Sequence, residues 1–274
     1  MLGARTYLFS IDLEDARLLV PNGERFRPRV EPMTIRYLDW LDLHHFSATF
    51  FVVGEVARRH PDLVREIARR GHEIACHSNM HVPLDRQSPE EFRADLGDCI
   101  ETLAKYAPGA VVGYRAPTFS LTQRTAWAYD ILSAHGMQYS SSVLPAANPL
   151  YGWPEFGAAT RRMPSGVLEI PMTLGRIGPL RVPIGSGVYF RVLPFALISR
   201  AIDRCASDAV TGYFHPYDID EDQERYVHAG INNNRFYHWL LFLNRGKVFG
   251  KLDRMIEKGH RIETYASYAA RFAA

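Results

Sequence analysis

Cysteine is scarce in this chain: Cys76, Cys99 and Cys205 are the only ones in 274 residues, widely spaced and odd in number. That argues against a disulfide framework and fits a reducing compartment. Net charge is equally slight. Thirty-two Lys and Arg against thirty Asp and Glu leave +2, so no bulk field points to nucleic acid or an acidic membrane surface as partner. No stretch reaches the ~18 unbroken apolar residues of a membrane span. The first ten residues, Met1 to Ser10, lack the basic start and long apolar run of a signal peptide. The expectation is a cytoplasmic protein without a membrane span. Internal repeats and low-complexity segments are also lacking.

What the chain has is apolar residues in quantity, 47% of the total, enough for a sizeable core. Tyr7 to Ile11 reads as a short strand. Residues 16–31, with Pro21, Asn22, Gly23 and Pro28, read as a mobile loop over an active-site mouth. Met33, Tyr37, Leu38 and Leu41 recur at helical spacing before His44 and His45, which read as surface residues. The apolar run 48–54 is a strand closed by Gly54, and the helical region after it is interrupted by Pro61. Residues 72–76 form a third strand, and Ser88-Pro89-Glu90-Glu91 opens a helix with Phe92, Leu96, Ile100 and Leu103 on its buried stripe. Residues 111–120 predict a strand running into a proline-bent loop, 122–136 a helix, and 139–187 a loop-rich stretch. Further elements are a helix over 195–205, a strand over 210–214, helical character over 236–258 and a strand over 261–265. Strand and helix alternating in this way specify a parallel sheet with crossover helices. The reading is one domain over 1–274, with a loop-rich insertion and C-terminal extension from about 145 onward.

The chemistry gathers around Gly71 to His81. A strand-like run delivers His77 to a sheet edge, and four residues later His81 comes to the same side, the spacing at which two imidazoles share a metal. Taken alone, such a pair is ordinary surface histidine. It is accompanied by Asp12-Leu13-Glu14-Asp15 at the end of the first strand and by His215 at the end of a late one. Zinc and similar ions accept two His and one carboxylate and keep further positions open for water. Side-chain alternation puts Asp12 and Glu14 on one face if the strand continues, whereas a turn after Asp12 brings Asp15 beside it.

These blocks, in order from Phe9 to Asp218, resemble the NodB-homology polysaccharide deacetylases of carbohydrate esterase family 4. The resemblance is closer to the branch in exopolysaccharide and surface-polysaccharide gene clusters, to whose C-terminal extension Tyr189-Phe190-Arg191 is similar. It implies a deformed (β/α) barrel with fewer than eight regular units, one divalent metal, zinc before cobalt, nickel or iron, and release of an N-acetyl group from an amino sugar of a surface polysaccharide or its precursor. By position it implies Asp12 as general base, Asp15 or Glu14 as carboxylate ligand beside His77 and His81, and Arg115 of Arg115-Ala116-Pro117 orienting the base. It further implies the backbone N–H of Thr118 or Phe119 at the oxyanion, and His215 as general acid. Relatives carry an aspartate that tunes this histidine; here the segment reads Tyr139-Ser140-Ser141-Ser142. Either Asp218 or another acid replaces it or the histidine pKa differs, and the expectation is a lowered basic limb in the pH–rate profile. Tyr151, Trp153, Tyr189 and Phe190 are candidates to stack on sugar rings. Two alternatives keep fewer of these features: an amidase for a non-sugar C–N bond, and a carbohydrate-binding protein with a dead site.

Overall fold

The computed structural model describes residues 5–148, 150–205, 207, 209–226 and 235–272. Eleven strands occur among them: β1 Thr6–Leu13, β2 Thr49–Val52, β3 Glu73–Cys76, β4 Gly113–Tyr114, β5 Tyr139–Ser140, β6 Arg161–Arg162, β7 Leu168–Glu169, β8 Leu174–Ile177, β9 Leu180–Pro183, β10 Ala209–Phe214 and β11 Arg261–Glu263. The α-helices are α1 Val30–Leu43, α2 Gly54–Arg59, α3 Pro61–Arg69, α4 Pro89–Ala104, α5 Ala128–Ala134, α6 Gly187–Val192, α7 Phe195–Asp203, α8 Arg235–Phe242, α9 Val248–Glu257 and α10 Tyr265–Ala270.

The main sheet runs β10-β1-β2-β3-β4-β5-β7-β6, with β11 also pairing with β1; every pair is parallel except β6 with β7. Strand β1 is its spine, buried from Tyr7 to Leu13. Its first half is flanked by β11 and its second half by β2. Phe9 is wholly buried, with ring contacts to Tyr37, Trp40 and Phe214. Truncating such a ring costs about 3–5 kcal/mol. The sheet curls until the chain beyond β7 meets β10, where Thr173 and Thr211 exchange hydrogen bonds: Thr173 N–H to Thr211 Oγ1 at 2.6 Å and Thr211 N–H to Thr173 Oγ1 at 3.0 Å. Closure therefore runs through side chains rather than a continuous ladder, and the result is a deformed (β/α) barrel. No helix of the described residues is long and apolar enough to cross a membrane.

The helix signals in the first half of the chain act as written. Pro61 sits at the first position of α3, and Ser88 with Glu91 forms a full capping box on α4. Four expectations differ in extent. The strand expected to run from 111 into a proline-bent loop is confined to β4, and the bend follows at Ala116-Pro117. The helix over 122–136 splits into a 3₁₀ turn at Gln123–Thr125 and α5. Residues 236–258 break at Asn244, whose φ of 57° no continuing helix accepts. Residues 16–31 contain two 3₁₀ turns, with Ala16 and Val20 packed on Tyr226 and Tyr217.

Candidate active site

Parallel strands leave their C-terminal ends on one rim, and the candidate residues collect there. Asp12 is at the end of β1, His77 directly after β3, Arg115 directly after β4 and His215 directly after β10. Asp12, His77 and His215 border a cleft of about 440 Å³ that is also lined by Glu14, His81, Thr118, Phe119 and Tyr217, and Arg115 lies behind Asp12.

Glu14, His77 and His81 each present a ligand atom, all within 4.8 Å of one another. His77 is fixed from behind: its Nδ1 lies 2.8 Å from the Arg115 carbonyl oxygen, which only accepts, so Nδ1 carries the proton and Nε2 keeps its lone pair toward the cleft. Burial pushes the His77 pKa down to about 4 against the pull of Asp12, favouring the neutral form a ligand needs. His81 Nε2 lies 2.7 Å from Glu14 Oε2. Burial works to lower the His81 pKa, but the Glu14 charge outweighs it and the net direction is up. Burial would raise Glu14, yet His81 and His215 hold it well below the usual carboxylate range. Tyr217 OH donates to the other Glu14 oxygen at 2.8 Å. A neutral imidazole with a bare nitrogen beside an ionised carboxylate and a second imidazole is a donor set that fits a divalent cation.

Asp15 stands apart from this cluster. Its carboxylate caps the 3₁₀ turn at Ala16–Leu19 through the Arg17 N–H and is gripped by the Arg17 guanidinium, with Nε to Oδ2 at 2.9 Å. The strand continues through Leu13, so Asp12 and Glu14 share the cleft side.

The loop that carries the histidines is braced on both flanks. Asp95 of α4 accepts the N–H groups of Asn79 and Met80, and the backbone N–H groups of Gly54 and Glu55 reach Ser78 and Asn79 carbonyls. A Cβ at Gly54 would lie 2.3 Å from Asn79 Oδ1 and 3.1 Å from Asn79 Cα, so a larger residue there would have to displace the Asn79 side chain. Ser78, His81, Thr118 and Phe119 all have left-handed backbone. For Thr118, β-branched, that conformation is costly and held by its surroundings.

Asp12 and Arg115 form a buried pair in which Arg115 Nη1 reaches Asp12 Oδ1 and, at 2.7 Å, Ser10 Oγ. The guanidinium stacks 3.8 Å over the Phe51 ring, and its Nε donates to the Ser141 carbonyl. Asp12 Oδ2 is left toward the cleft, 3.9 Å from His77 Nε2. Of the two oxyanion candidates, the Phe119 N–H is committed to the Ala116 carbonyl at 3.1 Å. The Thr118 N–H has no such backbone partner among the described residues.

His215 is held by Asp218. Asp218 Oδ2 accepts from both the His215 backbone N–H and its Nδ1, each at 2.9 Å, so one carboxylate caps the following 3₁₀ turn and fixes the imidazole tautomer. Burial would lower the His215 pKa, but Glu14 and Asp218 outweigh it and raise it to about 9. Ser140 faces elsewhere: it pairs across the sheet with Glu169, a wholly buried carboxylate that accepts the N–H groups of Ser142 and Val143.

Sequence reasoning assigned no part to Arg191, Tyr217 or Glu169. Arg191 is wholly buried, its Nε 3.0 Å from Asp218 Oδ1, with hydrogen bonds to the carbonyls of Gly187, Leu241 and Leu243. The signal was present in Tyr189-Phe190-Arg191, but the partner lies 27 positions downstream across an unrelated element. Among the aromatic candidates, Tyr151 and Tyr189 line the cleft, whereas Phe190 is buried on Phe214 and Trp153 packs against Phe156.

Residues 26–140 match the family model described as polysaccharide deacetylase, and residues 141–269 match a domain of unknown function, DUF3473. The chain is 33% identical over 100 residues to a chitooligosaccharide deacetylase of Rhizobium leguminosarum bv. trifolii, covering 36% of this chain and 44% of that one. It is 37% identical over 78 residues to a peptidoglycan-N-acetylglucosamine deacetylase of Bacillus cereus, covering 27% and 28% respectively. The chain thus spans less than half the length of these curated relatives. In structure it is similar to a Mycobacterium smegmatis protein assigned to the polysaccharide deacetylases, with a TM-score of 0.60 at 20% identity over 98% of this chain and 93% of the other. Over residues 26–140 the family model and the curated relatives agree, and the whole fold is similar to that of a polysaccharide deacetylase structure: this part of the chain matches the polysaccharide deacetylases, the NodB-homology group of carbohydrate esterase family 4.

Proposed function

We propose that this protein hydrolyses the N-acetyl group of an amino sugar in a surface polysaccharide or its precursor, with a divalent ion, zinc first, held by Glu14, His77 and His81. The observation that carries the reading is the convergence, on one rim, of that donor set with an arginine-held Asp12 on one side and an aspartate-held His215 on the other. The similarity to deacetylases acting on chitooligosaccharide and peptidoglycan N-acetylglucosamine supports the substrate class. The unpaired Cys76, Cys99 and Cys205 accord with a reducing, cytoplasmic setting.

A divalent ion in that donor set supplies Lewis acidity, polarising the acetamide carbonyl and acidifying water. Asp12 takes the proton of the attacking water at Oδ2, because Arg115 occupies Oδ1 and fixes the carboxylate's rotation. The Thr118 N–H donates to the oxygen on which negative charge develops. His215, protonated on Nε2 while Nδ1–H stays with Asp218, gives its proton to the departing amine, and its raised pKa keeps that proton available at neutral pH. Tyr151 and Tyr189 offer ring faces to the sugar.

The test is acetate release from N-acetylated chitooligosaccharides by the metal-supplemented full chain, with Asp12→Asn alongside. Release by wild type and loss in the variant support the reading. Binding of the oligosaccharide without release points to a carbohydrate-binding protein, and release only from non-sugar amides to the other amidase class.

A further inference from the structure

The β8–β9 hairpin forms one wall of the cleft and belongs to neither the metal cluster nor the two acid–base groups. Its register sets Leu174 opposite Pro183 and Arg176 opposite Arg181, so these four share a face. Leu174, Arg181 and Pro183 line the cleft. The opposite face is pinned to the body of the protein: Val182 packs on the core, and a Cβ at Gly175 would lie 2.4 Å from Ile184 Cγ2. The hairpin cannot roll over without losing that contact, and the arginine face stays toward the opening.

Two guanidinium groups directly opposed across a hairpin repel each other, and neither has a carboxylate partner among the described residues. Arg176 Nε reaches only the Gly178 carbonyl, at 3.3 Å. Nor is Arg181 needed to balance the acids of the cleft. Asp12 is paired with Arg115, and Glu14 with His81 and Tyr217. Arg181 is the only Lys or Arg among the described residues lining this cleft. An exposed, unpaired guanidinium fork on the wall of a sugar-binding cleft, backed by a second one, matches the two oxygens of a carboxylate or a phosphate.

Resting on the hydrolase reading above, we propose that Arg181, assisted by Arg176, is a specificity-determining residue that recognises an anionic group on the substrate next to the N-acetyl sugar. The substrate class is then an acidic glycan or a phosphorylated sugar precursor rather than a neutral polymer.

The experiment compares kcat/KM for acetate release from three substrates: neutral N-acetylated chitotetraose, a tetrasaccharide alternating N-acetylglucosamine with a uronate, and N-acetylglucosamine 1-phosphate. It uses the metal-supplemented full chain as wild type, Arg181→Lys and Arg181→Glu, at low and high salt, with calorimetric affinities for the same compounds. The expected result is a wild-type preference for at least one anionic substrate that falls about 10- to 100-fold in Arg181→Glu, chiefly through KM, with partial retention in Arg181→Lys. High salt should erode the same preference. The two anionic arms separate a carboxylate from a phosphate as the recognised group. An anionic-to-neutral ratio unchanged in Arg181→Glu overturns the proposal. If wild type releases acetate from none of the three, the hydrolase reading fails, and the affinities decide this proposal separately: equal affinity of wild type and Arg181→Glu for both anionic sugars overturns it.

Discussion

Two buried arginine–aspartate pairs flank the site, and they differ in how the chain assembles them. Arg115 and Asp12 meet across the rim of the curled parallel sheet, from the ends of β4 and β1, with the guanidinium hydrogen-bonded to the carboxylate, to Ser10 and to Ser141 and stacked on Phe51. Arg191 and Asp218 meet between α6 and the turn after β10, in the part of the chain that matches the second family model. There the arginine spends its hydrogen bonds on the carbonyls of Gly187, Leu241 and Leu243, and its contact with Asp218 is chiefly ionic. The first pair fixes the rotation of a carboxylate that itself faces the cleft. The second fixes a carboxylate that faces only His215, so its influence on chemistry passes through that imidazole. A shared arrangement, a wholly buried cation holding an acid, thus serves two ends: direct orientation of the proposed base and indirect tuning of the proposed acid.

Breaking the first pair should have the largest effect. Arg115→Met leaves Asp12 buried without its cation, and stability should fall by about 3–5 kcal/mol, read by urea denaturation, with acetate release lost as well. Ser140→Asp comes next and tests the second pair from the opposite direction. Because Ser140 is wholly buried beside Glu169, whose pKa burial already raises, a second carboxylate there should destabilise the fold and leave the basic limb of the pH–rate profile where it was. A stable Ser140→Asp protein with a displaced limb would contradict the assignment of Asp218.

Asp218→Asn probes the second pair through pH. In the proposed mechanism His215 acts while protonated, and Glu14 and Asp218 raise its pKa to about 9 from an ordinary 6.5, so the basic limb should lie high in wild type. Removing the Asp218 charge should move that limb to lower pH. A cation on Glu14 cancels the Glu14 share of the upward shift, which makes Asp218 the main remaining support. The same sign governs stability: a pKa raised on folding stabilises most below about pH 6.5, and that stabilisation is lost as pH rises through about 9. Asp218→Asn should flatten this slope in denaturation measured from pH 6 to 10. The smallest effect belongs to Asp15→Asn, which weakens a cap and a partly exposed pair with Arg17 and should cost about 0.5–2 kcal/mol without touching metal binding.

How much of this was legible in the sequence follows from how local each signal is. The strand–helix alternation through α4 could be read because its cues, Pro61, Ser88-Pro89 and the apolar stripe of Phe92 and Leu96, act within a turn or two of where they occur. His77, His81, Asp12 and His215 could be located for the same reason: each sits at or just beyond the end of a strand that its own neighbourhood specifies. The choice between Glu14 and Asp15 could not, since it depends on whether β1 persists past Asp12 and on where Arg17 reaches, and both are settled by packing. Arg191 was visible as part of a motif but not as a partner of Asp218, because the contact joins two elements whose relative position no local pattern encodes. The short strands β5 to β7 and the hairpin were hidden by their length. Two-residue strands carry no period, and the loop-rich reading of 139–187 reflects that.

The measurement that bears most directly on the central claim is metal content per chain, by elemental analysis after purification without added metal, on wild type, Glu14→Gln, His77→Ala and Asp15→Asn. The account predicts about one divalent ion in wild type and in Asp15→Asn, and far less in Glu14→Gln and His77→Ala while both remain folded by circular dichroism. Wild type that takes up no metal even when it is supplied, or Asp15→Asn that loses the ion while Glu14→Gln keeps it, would contradict the account.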